Sequence, residues 1–273
     1  MATDELAEYL DAAVHAARLG AAVLEEWRTR FHVREKGRFD LVTEADLGSQ
    51  QAIRGYVKER FLEHAFVGEE DPASQRKPGP GAPPTWIVDP LDGTTNYVHD
   101  CPIYCVSIGL QVGGELVVGV VYDPRQNEMF TAAKGRGASL NGRPIHVSQT
   151  GTLDQALLAT GFPTDLRGQE RALAWWRHFS LITRSLRRTG STALNLAYVA
   201  AGRFDGYWAF DNNAWDVAGG VVLVREAGGL VTNADGAEYD AFTPDCLAAN
   251  PGLYRVMLDV LRTGPAEKRG LDP

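Results

Sequence analysis

The stretch Trp86-Ile87-Val88-Asp89-Pro90-Leu91-Asp92-Gly93-Thr94-Thr95-Asn96-Tyr97 constrains this chain more than any other. It opens on an apolar run, Trp86-Ile87-Val88, of the kind that forms a buried strand. The run delivers Asp89 at its end. Pro90 has no N–H to give a ladder, so pairing is expected to stop there. Asp92 follows, then Gly93, two hydroxyls at Thr94 and Thr95, and Asn96. Two carboxylates at the end of a buried strand repel each other and lose hydration. A hard divalent cation held by both would resolve that conflict. Gly93 and Thr94 would open a new turn whose free N–H groups can receive a phosphate.

Two other readings compete for the same residues. One is a strand followed by a well-solvated Asp/Gly turn. The other is an aspartyl-phosphate phosphatase, whose apolar strand ends in D-x-D-x-T with the first Asp as nucleophile. Here Pro90 and Leu91 separate the carboxylates, two residues rather than one, which turns the second side chain away from that role.

With 273 residues, the chain is long enough for one large domain or two lobes. Its formal net charge of -8 argues against nucleic acid and anionic membrane as main partners, and simple solubility accounts for most of it. No apolar run approaches the roughly 20 residues that span a bilayer. The opening MATDELAEYL is acidic and lacks a signal-peptide pattern. Cys101, Cys105 and Cys246 form no C-x-x-C pair and read as small buried hydrophobes in a reducing compartment. The expected location is cytoplasmic.

Along the chain, Asp4 to about Phe31 reads as one amphipathic helix, with Leu6, Leu10, Ala13, Val14, Ala17, Ala21 and Leu24 on one face. His32 to Val42 suits an extended arm or loose hairpin, and Thr43-Glu44-Ala45-Asp46 a helix start. Ala65-Phe66-Val67 is a short strand that delivers Gly68-Glu69-Glu70, and Asp71 to Pro84 a surface loop. Tyr104 to Gln111, Leu116 to Tyr122 and Glu128 to Ala133 form an antiparallel block, with turns at Gly113-Gly114 and Asn141-Gly142. Around Val147 to Thr152 the chain becomes polar, which divides it into lobes 1–147 and 148–273. Beyond that point strands alternate with helices, which favours α/β layering. The tail from Thr263 to Pro273 is expected to fray.

Four acidic clusters stand at strand ends and helix starts, where α/β proteins gather ligands: Asp46, Glu69-Glu70, Asp89 with Asp92, and Asp216 in Trp215-Asp216-Val217-Ala218-Gly219-Gly220. Taken singly, Asp216 also reads as an ordinary helix N-terminal charge and Glu69-Glu70 as a solvated pair. Every candidate ligand is oxygen, a chemistry that suits Mg²⁺ or Mn²⁺ and not zinc.

The chain resembles the inositol monophosphatase family, within the lithium-sensitive, magnesium-dependent sugar phosphatases. The resemblance spans nearly the whole chain. It rests on Asp40-Leu41-Val42-Thr43-Glu44-Ala45-Asp46, Gly68-Glu69-Glu70, the Asp89 to Asn96 stretch and the Trp215 to Gly220 stretch, in that order. Gly161-Phe162-Pro163 and Gly190-Ser191 also match. It implies a layered α-β-α-β-α sandwich, usually a homodimer, acting on a small phosphorylated metabolite with two to three Mg²⁺ ions. Glu69, Asp89 and the Leu91 carbonyl would hold the first metal, and Asp89, Asp92 and Asp216 the second. A third would lean on Glu69, with Glu70 and Thr95 in the outer shell. Thr94 and Asp46 would orient the attacking water, with Glu69 beside them. Gly93, Thr94, Asp92 and Asp216 would touch the substrate.

One position departs from the family. Inositol-specific members carry a Glu before the Trp-Asp pair that hydrogen-bonds ring hydroxyls. Counting back from Trp215 without a gap, that position is Ala209. Asp211 lies two residues on and would substitute only if the loop were rearranged. The phosphate-cleaving end thus looks intact and the alcohol-reading end altered. Inositol 1-phosphate, fructose 1,6-bisphosphate, histidinol phosphate and adenosine 3′,5′-bisphosphate all remain candidate substrates. A catalytically weak phosphate- or metal-binding regulatory protein is the alternative of another class.

Overall fold

The computed structural model describes residues 3–37, 40–71, 77–79, 81–163 and 166–265. Helix α1 (Thr3–Trp27) buries Ala13, Ala17, Ala21 and Leu24, the small-residue face that its periodicity predicts. It stops four residues before the expected end. A turn closes at Trp27, whose carbonyl accepts from Arg30 N–H, and Phe31 packs instead against the Tyr97 ring at 5.1 Å. Strands β1 (Val33–Gly37) and β2 (Asp40–Thr43) pair antiparallel as the expected hairpin. Helix α2 (Glu44–Arg60) starts at Thr43, whose side chain accepts from Ala45 N–H while the Asp46 carboxylate reaches back to Thr43 N–H.

The first sheet has seven strands in the order β3 (Ala65–Gly68), β4 (Thr85–Asp92), β5 (Cys105–Val112), β6 (Glu115–Asp123), β7 (Glu128–Ala133), β8 (Ala138–Leu140) and β9 (Arg143–Ile145). Only β3 and β4 run parallel. Pro90 does not end β4, contrary to the expectation from sequence. The register breaks between Asp89 and Asp92 and pairing resumes at Asp92 opposite Cys105. A proline removes one donor, and the strand absorbs that loss as an irregularity rather than a stop. The short arms β8 and β9, joined at Asn141-Gly142, had no strand signal beyond their turn. A five-residue helix α3 (Thr94–Val98) follows β4.

The second sheet runs β11 (Ser185–Arg187), β10 (Leu157–Thr160), β12 (Gly206–Ala209), β14 (Cys246–Ala249) and β13 (Leu230–Thr232). The first three are parallel, and β14 is antiparallel to both neighbours. Helices α5 (Thr192–Ala200) and α6 (Ala214–Glu226) lie between the sheets. Helices α4 (Leu166–Ser180) and α7 (Pro251–Thr263) cover the outer face of the second sheet, and α1 and α2 that of the first. Three cores result. Trp86 and Val88 point into the α1/α2 core, while Ile87 points to the α5/α6 layer. Strand alternation then sends Asp89 to the side of Ile87, toward α6. The architecture is the layered α-β-α-β-α sandwich that the resemblance implies.

The α6 layer approaches the first sheet closely because both surfaces are nearly bare. A Cβ on Gly119 would lie 2.2 Å from the Gly219 carbonyl oxygen. Residues 72–76 and 80 of the expected surface loop, and the tail from 266, lie outside the described residues. Among the described residues no helix is long and apolar enough to cross a membrane.

Candidate active site

Four local choices place the acids. The β4 irregularity puts Asp89 and Asp92 on either side of Pro90-Leu91. Asp89 Oδ1 accepts from Leu91 N–H at 3.0 Å, which folds the bulge and fixes the Leu91 carbonyl. That carbonyl lies 3.1 Å from the Thr94 hydroxyl, which also stands 3.1 Å from Asp46 Oδ1. Asp46 is fully buried, and its Oδ2 accepts from Thr43 N–H at 2.8 Å and the Thr43 hydroxyl at 2.6 Å. Gly93 makes the turn out of β4 with φ 98°, and a side chain there would meet the Ile103 carbonyl at 2.8 Å.

Asp92 is the most heavily bonded of the set. Its Oδ2 accepts from the Ser191 hydroxyl and from Ala193 N–H, both at 2.6 Å, and its Oδ1 from Thr192 N–H at 3.2 Å. The first turn of α5 therefore grips this carboxylate, as its N-terminal dipole favours. Asp216 caps α6, accepting from Asn213 N–H at 2.8 Å. Glu69 follows β3, and its N–H donates to Val88 carbonyl at 3.1 Å, alongside β4. Glu70 N–H donates to Gln50 Oε1 at 3.0 Å, and Thr95 is exposed on α3.

Asp89 feels all its acidic neighbours. Burial pushes its carboxyl well above the usual range, and Glu69, Asp92 and Asp216 push it further, with Glu69 sharing a hydrogen bond. Burial also raises Asp92, against the lowering effect of the Ser191 hydroxyl and of the Ala193 and Thr192 N–H groups. Among the described residues no three acids close into a ready-made metal shell. The donors nevertheless fit a hard divalent cation: all are oxygens, and their mutual repulsion is what such a charge would cancel.

The loops expected to face the alcohol leave the C-terminal ends of β10, β11 and β12, the usual ligand edge of parallel strands. Ala209 is buried there, 1% exposed, and a Cβ on Gly161 would lie 3.6 Å from its methyl group. The Tyr207 hydroxyl stands 3.2 Å from both the Thr192 hydroxyl and Asn212 Oδ1. Asp211 is exposed, with φ 62°. The hydrogen bond from Ser191 to Asp92 is the contact in this site that sequence reasoning missed. Gly190-Ser191 before an apolar helix is a cap signal, but its link to Asp92 is tertiary.

A family model described as "Inositol monophosphatase family" matches residues 5–263. The chain is 44% identical over 259 residues to "Inositol monophosphatase 3" of Solanum lycopersicum, covering 93% of this chain and 96% of that one. It is 39% identical over 259 residues to "Nus factor SuhB" of Pseudomonas aeruginosa, covering 93% and 95%. The structure of an inositol monophosphatase from Anabaena (Nostoc) superposes with a TM-score of 0.85 at 38% identity, covering 96% of this chain and 98% of that one.

Proposed function

The chain belongs to the inositol monophosphatase family and is a phosphatase; on that premise we propose that it hydrolyses a small phosphorylated polyol or sugar with Mg²⁺ as cofactor. The observation that carries this reading is the crowding of Glu69, Asp92 and Asp216 around buried Asp89. Glu69, Asp89 and the Leu91 carbonyl would hold one cation, and Asp89, Asp92 and Asp216 another. A third would lean on Glu69 with Glu70 beside it. When bound, the cations supply Lewis-acid polarisation of water and of the phosphoryl group.

The chain's own residues account for the rest. If Thr94 gives its proton to Asp46, its oxygen is left to accept from water. A water so held turns a lone pair toward phosphorus, and the buried Asp46, fixed by Thr43, keeps Thr94 from rotating away. N–H groups near Gly93 and Thr94 receive the phosphate's other oxygens. The α5 turn fixes Asp92 for its part.

The same reading keeps 1–147 as the lobe with most of the ligands and 148–273 as the lobe that supplies Asp216 and the alcohol side. It expects a cytoplasmic homodimer inhibited by Li⁺. The test is phosphate release from a panel of phosphorylated metabolites, including inositol 1-phosphate, with Mg²⁺, with chelator and after Mg²⁺ is restored. Release that vanishes and returns is expected; release from no compound would overturn the proposal. The likeness to a protein named Nus factor SuhB favours a second reading, a binding role on the same fold. Binding that persists in an inactive Asp89→Asn variant would separate the two.

A further inference from the structure

Among the described residues, three buried side-chain polar atoms have no hydrogen-bond partner: Arg54 Nε, the Tyr239 hydroxyl and the Ser107 hydroxyl. Two of them have local accounts. Arg54 pairs with Asp71 through its Nη2, and the Tyr239 hydroxyl faces the Cys246 thiol. Ser107 is fully buried, and its hydroxyl bonds to nothing. Such a group has lost its hydration and received nothing in return. Close packing calls only for a small side chain here, which alanine would supply without that cost.

The surroundings show what the hydroxyl can serve. Ser107 stands on β5 directly opposite Asp89 on β4. Opposed residues of antiparallel strands share a face, with Cβ atoms about 4.5–5.5 Å apart, so a serine hydroxyl can reach an aspartate carboxylate. That face is the one toward α6, since a Cβ on Gly219 would lie 2.9 Å from Ser107 Oγ. Gly219 follows Asp216 by three residues and shares its side of the helix. The hydroxyl therefore lies where β4 and α6, the carriers of Asp89 and Asp216, come together. Two residues earlier on β5, Cys105 stands opposite Asp92, and its thiol lies 3.8 Å from Asp92 Oδ2. A β5 side chain thus already reaches the β4 carboxylate across from it. Asp89 has room for another donor. Its Oδ1 accepts from Leu91 N–H and it shares a hydrogen bond with Glu69, whereas a carboxylate offers about four acceptor sites.

We propose that Ser107 is a positioning residue for the metal site, its hydroxyl donating to the Asp89 carboxylate and fixing the orientation in which Asp89 meets a divalent cation. This rests on the Mg²⁺-dependent reading above and adds a residue to it. Ser107 itself touches neither cation nor substrate. When Glu69 and Asp89 turn their oxygens to a shared cation, the hydrogen bond between them is given up, and Ser107 supplies the replacement donor.

The experiment measures cation binding directly, without substrate, in wild type, Ser107→Ala and Ser107→Cys. Mn²⁺ is titrated by electron paramagnetic resonance, and melting temperatures are taken in chelator and in Mg²⁺. Ser107→Ala removes an unpaired buried hydroxyl, so its melting temperature in chelator is expected to hold or rise. Its Mn²⁺ affinity is expected to fall by about 10–100-fold, the range for losing an outer partner of a metal ligand, and its stabilisation by Mg²⁺ to shrink in step. Ser107→Cys keeps a weak donor and should fall between the two. A merely structural role would do the reverse, lowering the melting temperature in chelator and leaving the affinity alone. Equal Mn²⁺ affinity in wild type and Ser107→Ala would overturn the proposal and leave the cation reading standing. A wild type that takes up neither Mn²⁺ nor Mg²⁺ would overturn the cation reading, and the proposal with it.

Discussion

The Ser191 hydroxyl donates to Asp92 Oδ2 at 2.6 Å, so the cap of α5 and the carboxylate that closes β4 form one unit across 99 residues. The same oxygen accepts from Leu194 N–H at 3.2 Å and so caps the helix as well. Ser191→Ala removes both contacts. Loss of the cap is expected to cost about 1–2 kcal/mol of stability, and Asp92, left with the Thr192 and Ala193 N–H groups and the weak Cys105 thiol donor, should hold metal less well. Urea unfolding and Mg²⁺ titration of activity would check the two effects. An unchanged Mg²⁺ dependence would mean that the α5 backbone suffices to orient Asp92.

Asp89→Asn should abolish Mg²⁺-dependent turnover and leave the fold intact. Its carboxylate faces Glu69, Asp92 and Asp216, so removing one negative charge relieves repulsion in the metal-free protein. Thermal stability without metal is therefore expected to hold or rise. Turnover near wild type would remove Asp89 from the metal site.

These two residues mark where the sequence could be read and where it could not. The apolar run before Asp89 announced a buried strand, and T-x-x-D at Thr43 and Asp46 announced a helix start, because both signals lie within a few residues. The passage of β4 beyond Pro90 was misread. A missing N–H is a local fact, whereas resumed pairing at Asp92 depends on Cys105 across the sheet. The three-residue strands β8 and β9 were too short to show alternation. Ser191 could be read as a cap, but not as a partner of Asp92. The layer order came from the resemblance, because no local pattern says which helix lies between two sheets.

Ala209→Glu would place a carboxylate among the Thr192 and Tyr207 hydroxyls. It should raise kcat/KM for inositol 1-phosphate by up to about 10–100-fold, the worth of one charged acceptor for ring hydroxyls. p-Nitrophenyl phosphate, which lacks such hydroxyls, should gain nothing. Equal changes on both substrates, or a loss confined to inositol 1-phosphate, would mean that another residue reads the alcohol.

His64 gives stability a dependence on pH far from the active site. Its Nδ1 accepts from Trp86 Nε1–H at 3.0 Å and its ring stacks on Phe61 at 4.8 Å, so the neutral form fits. Burial lowers its pKa, against a smaller opposing pull from Glu5. The folded protein then holds this proton less readily than the unfolded chain. The stability is fully present above the unfolded value of about 6.5 and is lost as pH falls from there through the lowered folded value. His64→Gln keeps an acceptor for Trp86 and cannot titrate. Melting temperatures from pH 8 to pH 5 should fall less steeply in the variant; parallel curves would exclude His64 as the source.

The bare contact between Gly119 and the Gly219 carbonyl has a consequence for when activity first arises. Asp216 can meet Asp89 only if α6 settles against the first sheet at backbone distance, and the surface that permits this is encoded about a hundred residues upstream of the helix that uses it. A chain still emerging from the ribosome with α6 unmade would hold Glu69, Asp89 and Asp92 and still lack their partner. Hydrolysis would begin only after residue 226 is free to dock, so the first phosphate released by a newly made molecule times the closure of its middle layer.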